Sequence, residues 1–231
     1  MMIRLYTHLP LGSEEAVVLT DEQVHYLYHV MRRAVGDEFL LFNGKDGEWL
    51  GRAEVLTKRQ GIIRLVHQTR EQEVTQGAVL AMALIKKDNF DLVLQKATEL
   101  GVRKIIPLIT ERTVVSKLNM ERAKHILIEA AEQCERLDVP EITEPVLFKT
   151  FLAMDVGQKV YLSERGQTKG VFDQNSSVCF IVGPEGGWSL SEVQAFERME
   201  EVKALNLGRL ILRAETAAIG ILAAHRFDIF L

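Results

Sequence analysis

Residues 178–224 read VCFIVGPEGGWSLSEVQAFERMEEVKALNLGRLILRAETAAIGILAA. The first five residues are apolar and largely β-branched, which is typical of a central strand covered on both faces. The strand runs into Gly-Pro-Glu-Gly-Gly at residues 183–187, where glycine lets a ligand approach bare backbone. Ser189, with Glu192 three residues later, predicts a capping box at the start of a helix. This order of strand, glycine turn and helix favours a cofactor pocket in an α/β sheet.

A second segment, residues 205–217, reads LNLGRLILRAETA and places charged side chains between an apolar run and an apolar final helix. One interpretation is structural, with Thr216 as the N-cap of that helix and Arg213 paired with Glu215 at the surface. The other is that Arg213 meets an anionic substrate or a developing negative charge. The final helix, predicted over residues 217–224, is apolar on every side. We therefore expect it to be buried by several layers or by a second subunit.

Composition places the chain among soluble globular proteins, with 231 residues, 47% of them hydrophobic and 26% charged. No apolar run reaches about eighteen residues and no basic and apolar leader is present, so we expect neither a membrane span nor a secretory signal. Cys134 and Cys179 have no CxxC spacing, which favours a reducing cytoplasm. The net charge of −4 argues against nucleic-acid binding by bulk electrostatics, although it leaves room for a local basic face.

The N-terminal part, residues 1–72, is predicted to be a small β-rich domain with one helix. Thr20 and Gln23 indicate a capping box, and Val24, Leu27, Tyr28 and Met31 would share one helical face. Strand patterns follow at 38–42, 48–56 and 61–66, with residues 43–47 as a hairpin turn. Short strands at regular spacing predict a barrel or rolled sheet. The basic residues of this domain have two interpretations: they form a patch that binds the phosphates of RNA, or they are ordinary solvated surface charges. They are Arg4, Arg32, Arg33, Arg52, Lys58, Arg59 and Arg64.

The remaining residues, 73–231, follow a polar linker at 71–77 and alternate between strand and helix patterns. Asp88 and Asn119 are the expected N-caps of the first two helices. Alternation of this kind predicts an α/β domain with a largely parallel sheet, whose ligands bind beyond the carboxyl ends of the strands. The expected strands cover residues 79–85, 104–109, 158–162, 178–182 and 203–207.

Several familiar sites do not fit these patterns. The glycine turn is neither a Walker A motif nor a GxGxxG fingerprint, so a phosphate cradle is disfavoured. A cofactor pocket built from backbone groups and a tight turn with no ligand remain as alternatives. His25 and His29 lie four residues apart without a third ligand, so we expect no metal site. Trp188 borders the glycine turn, where it would pack and wall the pocket.

Five motifs in order resemble one known family, the RsmE-type ribosomal RNA methyltransferases of the SPOUT superfamily. The similarity spans the chain, and the N-terminal domain of that family is PUA-like. Cys134 departs from the family pattern, which usually has serine there. The motifs are QKATELGV at 95–102, IP at 106–107 with TER at 110–112, EAAEQCER at 129–136 with VP at 139–140, GPEGG at 183–187, and LG at 207–208 with ILRAETA at 211–217.

The resemblance implies methylation of N3 of one uridine in small-subunit (16S) ribosomal RNA, with S-adenosylmethionine as donor. It also implies a homodimer and a deep trefoil knot in the C-terminal domain. A SPOUT enzyme acting on transfer RNA is an alternative within the class. A non-catalytic RNA-binding assembly factor and a phosphate-ligand enzyme are alternatives outside it, and the intact GPEGG and RAET segments argue against the assembly factor.

The resemblance also assigns residues to sites. Cofactor contacts are expected from Leu162, Ser163, Val182, Gly183, Pro184, Glu185, Gly186, Gly187, Leu205, Leu207, Gly208, Leu212, Ala214, Thr216 and Ala217. The resemblance and the basic patch together indicate RNA contacts. The residues expected to make them are Arg4, Arg32, Arg33, Arg52, Lys86, Arg112 and Arg136.

The chemistry of the implied reaction suggests catalytic roles. Uridine N3 must lose its proton before it can attack a methyl group, which leaves negative charge on O2 and O4. A nearby cation stabilises that charge. Our hypothesis is that Arg213 or Arg112 supplies the cation. Glu185 and Glu215 are the candidate proton acceptors, with solvent as a further possibility.

Overall fold

The computed structural model describes residues 2–163 and 177–229. The chain divides into two compact units, of which the first comprises Met1–Val74 and Ala131–Val139 and the second Thr75–Ala130 and Pro140–Leu231. The sequence analysis placed all of residues 73–231 in one domain. The structure instead groups residues 131–139 with the N-terminal unit, because Ala131 and Leu137 form a buried apolar cluster with Phe42.

The first unit is built on a five-stranded sheet in the order β1-β3-β4-β5-β2. β1 pairs with β3 in parallel and the other pairings are antiparallel. The three predicted strands are present, and residues 43–47 form the hairpin turn between β3 and β4. The two outer strands were not predicted, because three residues are too few for a periodic signal. The strands are β1 (Arg4–Tyr6), β2 (Ala16–Val18), β3 (Glu38–Phe42), β4 (Glu48–Leu56) and β5 (Gly61–Arg70).

One helix packs on this sheet. α1 (Asp21–His25) begins with the predicted capping box, in which the Thr20 hydroxyl accepts from the Gln23 N–H at 3.2 Å. A wider π-helical turn, Tyr26–Val30, continues it. Val24 and Leu27 are buried as predicted, whereas Met31 is 37% exposed. The wider turn explains this difference, because it changes the residue spacing that places side chains on one face.

A buried ion pair lies inside the first unit. Arg4 and Glu48 are 6% and 5% exposed, and the Arg4 Nε donates to Glu48 Oε2 at 2.8 Å. Thr69 donates to the other carboxylate oxygen at 2.9 Å, and the guanidinium carbon lies 4.6 Å from the centre of the Phe42 ring. Both charges are therefore removed from water and compensated within the unit.

The same arginine also binds the segment 131–139. Its Nη atoms donate to the carbonyl oxygens of Ala131 at 3.2 Å, Glu132 at 3.3 Å and Arg136 at 2.9 Å. Arg4 is thus a buried structural residue, which corrects its placement among the RNA-binding candidates. Arg136 needs the same correction, because its side chain is 9% exposed and paired with Asp138 at 3.0 Å.

The second unit is an α/β structure. Its strands form one sheet in the order β12-β10-β11-β6-β7-β8, with β9 also against β7, and every pairing among the described residues is parallel. The predicted α/β domain with a largely parallel sheet is confirmed. The strands are β6 (Val79–Ala83), β7 (Lys104–Ile109), β8 (Glu141–Ile142), β9 (Val146–Leu147), β10 (Gln158–Leu162), β11 (Val178–Val182) and β12 (Lys203–Leu205).

Two predicted helix starts have different outcomes. The Asn119 side chain accepts from the N–H of Arg122 at 3.0 Å and caps its helix as predicted. Asp88 is not an N-cap, because the helix begins one residue before it, with Lys86 in the cap position and no side-chain cap. The helices are α2 (Lys87–Glu99), α3 (Met120–Gln133), α4 (Phe148–Leu152), α5 (Leu190–Glu197) and α6 (Ala214–Arg226).

The last helix also differs from its prediction. α6 starts at Ala214 with Arg213 in the cap position, so Thr216 lies within the first turn and is not the N-cap. Ala218 and Ile221 are buried, but Gly220 is exposed and a Cβ built on it meets no atom within 4 Å. The single chain therefore buries one face of α6 and leaves another open. Among the described residues, no helix has the length and apolar character to cross a membrane.

The buried ion pair leads to a prediction about stability. Arg4→Ala leaves the Glu48 carboxylate buried without its cation, and we expect the free energy of unfolding to fall by about 3–5 kcal/mol. Arg52→Ala is the matched control, because Arg52 pairs with Glu38 at the surface, and its loss should stay below about 1 kcal/mol. Urea unfolding of both variants measures the difference, and equal losses would contradict the structural role of Arg4.

Candidate active site

A cavity of about 270 Å³ lies in the second unit, at the carboxyl ends of β10, β11 and β12. The glycine turn and the segment after β12, which are separate in the sequence, line it together. Gly183 and Ala214 consequently face one space. The lining residues are Leu162, Ser163, Val182, Gly183, Pro184, Glu185, Gly187, Trp188, Asn206, Leu207, Gly208, Leu210, Ile211, Leu212, Arg213, Ala214 and Ala217.

Twelve of the fifteen residues expected to contact a cofactor are in this lining. Gly186, Leu205 and Thr216 are not. The Gly186 carbonyl oxygen instead accepts a hydrogen bond from Arg112. Leu205 is a buried strand residue whose carbonyl oxygen accepts from the Ser163 N–H at 2.9 Å, and Thr216 is exposed.

Trp188 forms one wall of the cavity. Its indole Nε1 donates to the carbonyl oxygen of Leu162 at 3.0 Å, which fixes the ring at the end of β10. Phe148 and Phe196 pack against the ring at centroid distances of 5.8 and 5.1 Å. A Cβ on Gly183 would lie only 3.0 Å from this indole, so a side chain there would require the ring to shift, and the close approach favours glycine.

Asn206 also lines the cavity and was not among the residues expected to contact a cofactor. Its amide nitrogen donates to the Ser163 carbonyl oxygen at 3.0 Å, and its amide oxygen accepts from the Gly208 N–H at 2.8 Å. Gly208 has a φ of 111°, a conformation that favours glycine. The Asn-x-Gly spacing is the sequence signal for such a turn, because asparagine side chains commonly bond the backbone two residues later.

The loop after β7 is joined to the glycine turn. Arg112 Nη1 donates to the Gly186 carbonyl oxygen at 2.8 Å, and the Glu111 N–H donates to a carboxylate oxygen of Glu192 at 2.9 Å. Ser191 donates to the Glu111 carboxylate at 2.5 Å. Hydrogen bonds from Ser191 and then Ser189 hold the pKa of Glu111 below its usual range.

Two of the proposed catalytic residues line the cavity, and a third contacts the glycine turn beside it. Arg213 and Glu185 line the cavity directly, and Arg112 reaches its glycine turn through Gly186. Glu215 is 7% exposed in the first turn of α6, and its Oε2 has no hydrogen-bond partner among the described residues. Arg213 at the cavity and Arg112 at the adjoining glycine turn can stabilise a developing negative charge, and the Glu185 carboxylate can accept a proton.

The other RNA-binding candidates are distributed over both units. In the first unit, Arg32 is exposed at the end of the π-helical turn with a φ of 52°. Arg33 lies 3.9 Å from Asp37, and Arg52 is paired with Glu38. In the second unit, Lys86 is exposed at the start of α2.

The two histidines considered as metal ligands contact each other. The rings of His25 and His29 have centroids 5.1 Å apart. Within residues 2–163 and 177–229, no group of three histidine, cysteine, aspartate or glutamate side chains is arranged to hold a metal ion.

Comparison with known proteins gives the family. A model described as "RNA methyltransferase domain" matches residues 72–226, and one described as "RNA methyltransferase PUA domain" matches residues 19–66. The chain belongs to this RNA methyltransferase family. The resemblance drawn from the five motifs is therefore confirmed, as is the PUA-like nature of the N-terminal part.

Relatives within the family are similar over most of their length. The chain is 36% identical to the ribosomal RNA small subunit methyltransferase E of Rickettsia conorii, covering 96% of this chain and 94% of the relative. A solved structure of the enzyme of that name from Neisseria gonorrhoeae, bound to S-adenosylmethionine, has 32% identity and a TM-score of 0.88 over 100% of both chains. A protein from Legionella pneumophila, solved with bound S-adenosylmethionine, has 30% identity and a TM-score of 0.91 over 99% and 98% of the two chains.

The hydrogen bonds around Glu111 lead to a prediction about its ionisation. Ser191→Ala removes the larger of the two hydrogen-bond contributions, so the pKa of the Glu111 carboxyl should rise toward its ordinary value. Carboxyl-carbon NMR titration of the wild type and the variant would measure this rise. An unchanged Glu111 pKa would show that this bond does not persist in solution.

Proposed function

We propose that this chain transfers a methyl group from S-adenosylmethionine to N3 of a uridine in small-subunit (16S) ribosomal RNA. The observation that carries the proposal is the single cavity at the carboxyl ends of β10, β11 and β12, where Arg213 and the glycine turn meet. The names of the family relatives support small-subunit ribosomal RNA over transfer RNA as the substrate.

The lining of the cavity suits the cofactor in its chemistry. The volume of about 270 Å³ lies just below the range for ligand pockets, about 300–1,000 Å³. Leu162, Val182 and Leu212 offer apolar surface for an adenine ring, and Gly183 and Gly208 expose backbone for polar groups. When bound, S-adenosylmethionine supplies an electrophilic methyl group on a positively charged sulfur.

The residues of the chain would do the remaining work. Arg213 stands in the cap position of α6, so its cation and the positive end of the helix dipole face the same cavity. Both stabilise the negative charge that uridine O2 and O4 gain when N3 loses its proton. Arg112 adds a second cation at the glycine turn. Glu185 would accept the proton, because its carboxylate is exposed at the cavity.

RNA binding involves both units in this proposal. The first unit contains the match to the PUA model and supplies the exposed side chains of Arg32 and Arg52. Lys86 and Arg112 supply exposed cations in the second unit. Arginine and lysine contacts to phosphate would position the RNA without reading its sequence. A cytoplasmic location is part of this proposal, because ribosomal RNA is the proposed substrate.

A homodimer and a trefoil knot complete the proposal. The open face of α6 around Gly220 supports the dimer, as do exposed apolar residues nearby in the sequence: Leu210 and Ile211 are 81% and 65% exposed, and Phe227 is 65% exposed. Surface of this kind commonly marks an association site. The high TM-scores to the two cofactor-bound structures support the knot, which would involve the segments that line the cavity.

The functional proposal is tested by mapping modified uridines in small-subunit RNA from cells with and without this protein. We expect one N3-methyluridine to disappear with the gene and to return with the wild-type chain. Arg213→Ala should lower the single-turnover rate about 10²–10³-fold at saturating RNA and cofactor, because it removes a charge-stabilising group. Arg198→Ala, an exposed arginine at the end of α5, is the control. Unchanged RNA in cells without the protein, or near-normal turnover of Arg213→Ala, would contradict the corresponding part of the proposal.

The dimer proposal gives a separate prediction. Gly220→Lys places a charge on the open face of α6. A Cβ at this position meets no atom within 4 Å in the single chain, and replacing glycine should stabilise the helix by up to about 1 kcal/mol. The variant should be monomeric and remain folded, whereas the wild type should be dimeric. Size-exclusion chromatography with light scattering measures both masses. A dimeric Gly220→Lys protein would place the interface elsewhere, and a monomeric wild type would refute the dimer.

A further inference from the structure

We infer that Glu192 is a positioning residue for the reaction: its buried carboxylate fixes the loop at residues 110–113 and thereby holds Arg112 against the glycine turn. The inference rests on the role given to Arg112 in the proposed function. The sequence assigns Glu192 only a local task, as the third residue of a capping box. The structure gives this carboxylate a second bond to a distant part of the chain.

The two oxygens of Glu192 serve different segments. Oε2 accepts from the Ser189 N–H at 2.9 Å, and the Ser189 hydroxyl accepts from the Glu192 N–H at 3.1 Å, which completes the capping box of α5. Oε1 accepts from the N–H of Glu111 at 2.9 Å, although Glu111 lies 81 residues earlier. The capping box itself needs only one carboxylate oxygen, so the second bond is additional to the start of the helix.

Arg112, the residue after Glu111, closes a ring of contacts. Arg112 Nη1 donates to the Gly186 carbonyl oxygen at 2.8 Å, and a Cβ on Gly186 would lie 3.3 Å from the Arg112 Cβ. Residues 186–192 then lead through the glycine turn and Trp188 back to Glu192. Two hydrogen bonds and this short run of backbone thus fix adjacent residues of the β7 loop at two points.

Burial makes Glu192 the principal connection in the ring. Glu192 is 1% exposed, whereas Glu111, Arg112 and Ser191 are exposed. A hydrogen bond to an ionised carboxylate is stronger than one between neutral groups, and water competes less with it in a buried site. The hydrogen bond from Ser191 to Glu111 is exposed and binds the Glu111 side chain. It therefore restrains the loop backbone less than the hydrogen bond that the Glu111 N–H donates to Glu192.

Glu192→Gln tests the inference with almost no change in shape. An amide has one acceptor oxygen, so its NH₂ group must face either the Glu111 N–H or the Ser189 N–H, and one of the two bonds is lost. We expect faster hydrogen–deuterium exchange in residues 110–113. The single-turnover methylation rate at saturating RNA and cofactor should fall about 10–10²-fold, as expected when a reacting group is misplaced. Affinity for S-adenosylmethionine should change less than about twofold, because neither Glu192 nor Glu111 lines the cavity.

Asn119→Ala is the matched control for a simple loss of helix capping. Asn119 caps α3 through the Arg122 N–H and takes no part in the ring, so this variant loses one side-chain hydrogen bond at the start of a helix. It should retain the wild-type methylation rate and the wild-type exchange in residues 110–113. An equal loss of rate in Asn119→Ala would show that general destabilisation explains the effect and would overturn the inference.

A double-mutant cycle decides whether Glu192 acts through Arg112. If it does, the double variant Arg112→Ala/Glu192→Gln should be no slower than Arg112→Ala alone, since the group to be positioned is already absent. Additive losses would overturn the inference, as would unchanged exchange in residues 110–113. A wild-type rate for Arg112→Ala would refute the role of Arg112 together with its positioning. Absence of RNA methylation by the wild type would refute the proposed function instead, and the exchange measurement would still show whether Glu192 restrains Glu111.

Discussion

The position of β10 in the sheet is the constraint on which the active site depends. β10 precedes β11 and β12 in the chain but lies between them, with Tyr161 paired to Ile181 on one side and Leu162 paired to Leu205 on the other. Parallel pairing brings the carboxyl ends of all three strands to one edge. The glycine turn, the segment after β12 and the end of β10 therefore share one space, which no single segment could enclose.

Side-chain hydrogen bonds then hold these segments in place. Trp188 binds the backbone at the end of β10, and Asn206 binds the residue after it. Glu192 connects the start of α5 to the loop after β7. All three partners are backbone groups, so the geometry of the site depends on a few polar side chains acting on main chain more than on contacts between side chains. This arrangement leaves Arg213 and Glu185 available to a substrate.

Sequence reasoning succeeded where the signal is local. The capping boxes at Thr20 and Ser189, the hairpin turn at 43–47 and the strand runs depend on residues close together in the chain, and each is present. It failed where a distant partner decides the outcome. Arg4 looks like any surface cation until Glu48 is brought beside it, and the start of α6 looked like Thr216 because a hydroxyl is the usual cap. The motifs identified most of the cavity lining through family resemblance, but they could not show that the Asn206 amide binds the Ser163 carbonyl oxygen, because that contact depends on the order of the strands.

The grouping of residues 131–139 with the N-terminal unit has a consequence for synthesis of the chain. A nascent chain ending near residue 75 already contains all five strands of the first sheet, yet the partners of Phe42 and three carbonyl oxygens that bind Arg4 have not been made. The first unit can complete its core only after residue 139 has left the ribosome. By then β6, β7 and all of α3 have also been synthesised, whereas β8 to β12 have not, so the first unit can complete its core before the second unit can complete its sheet.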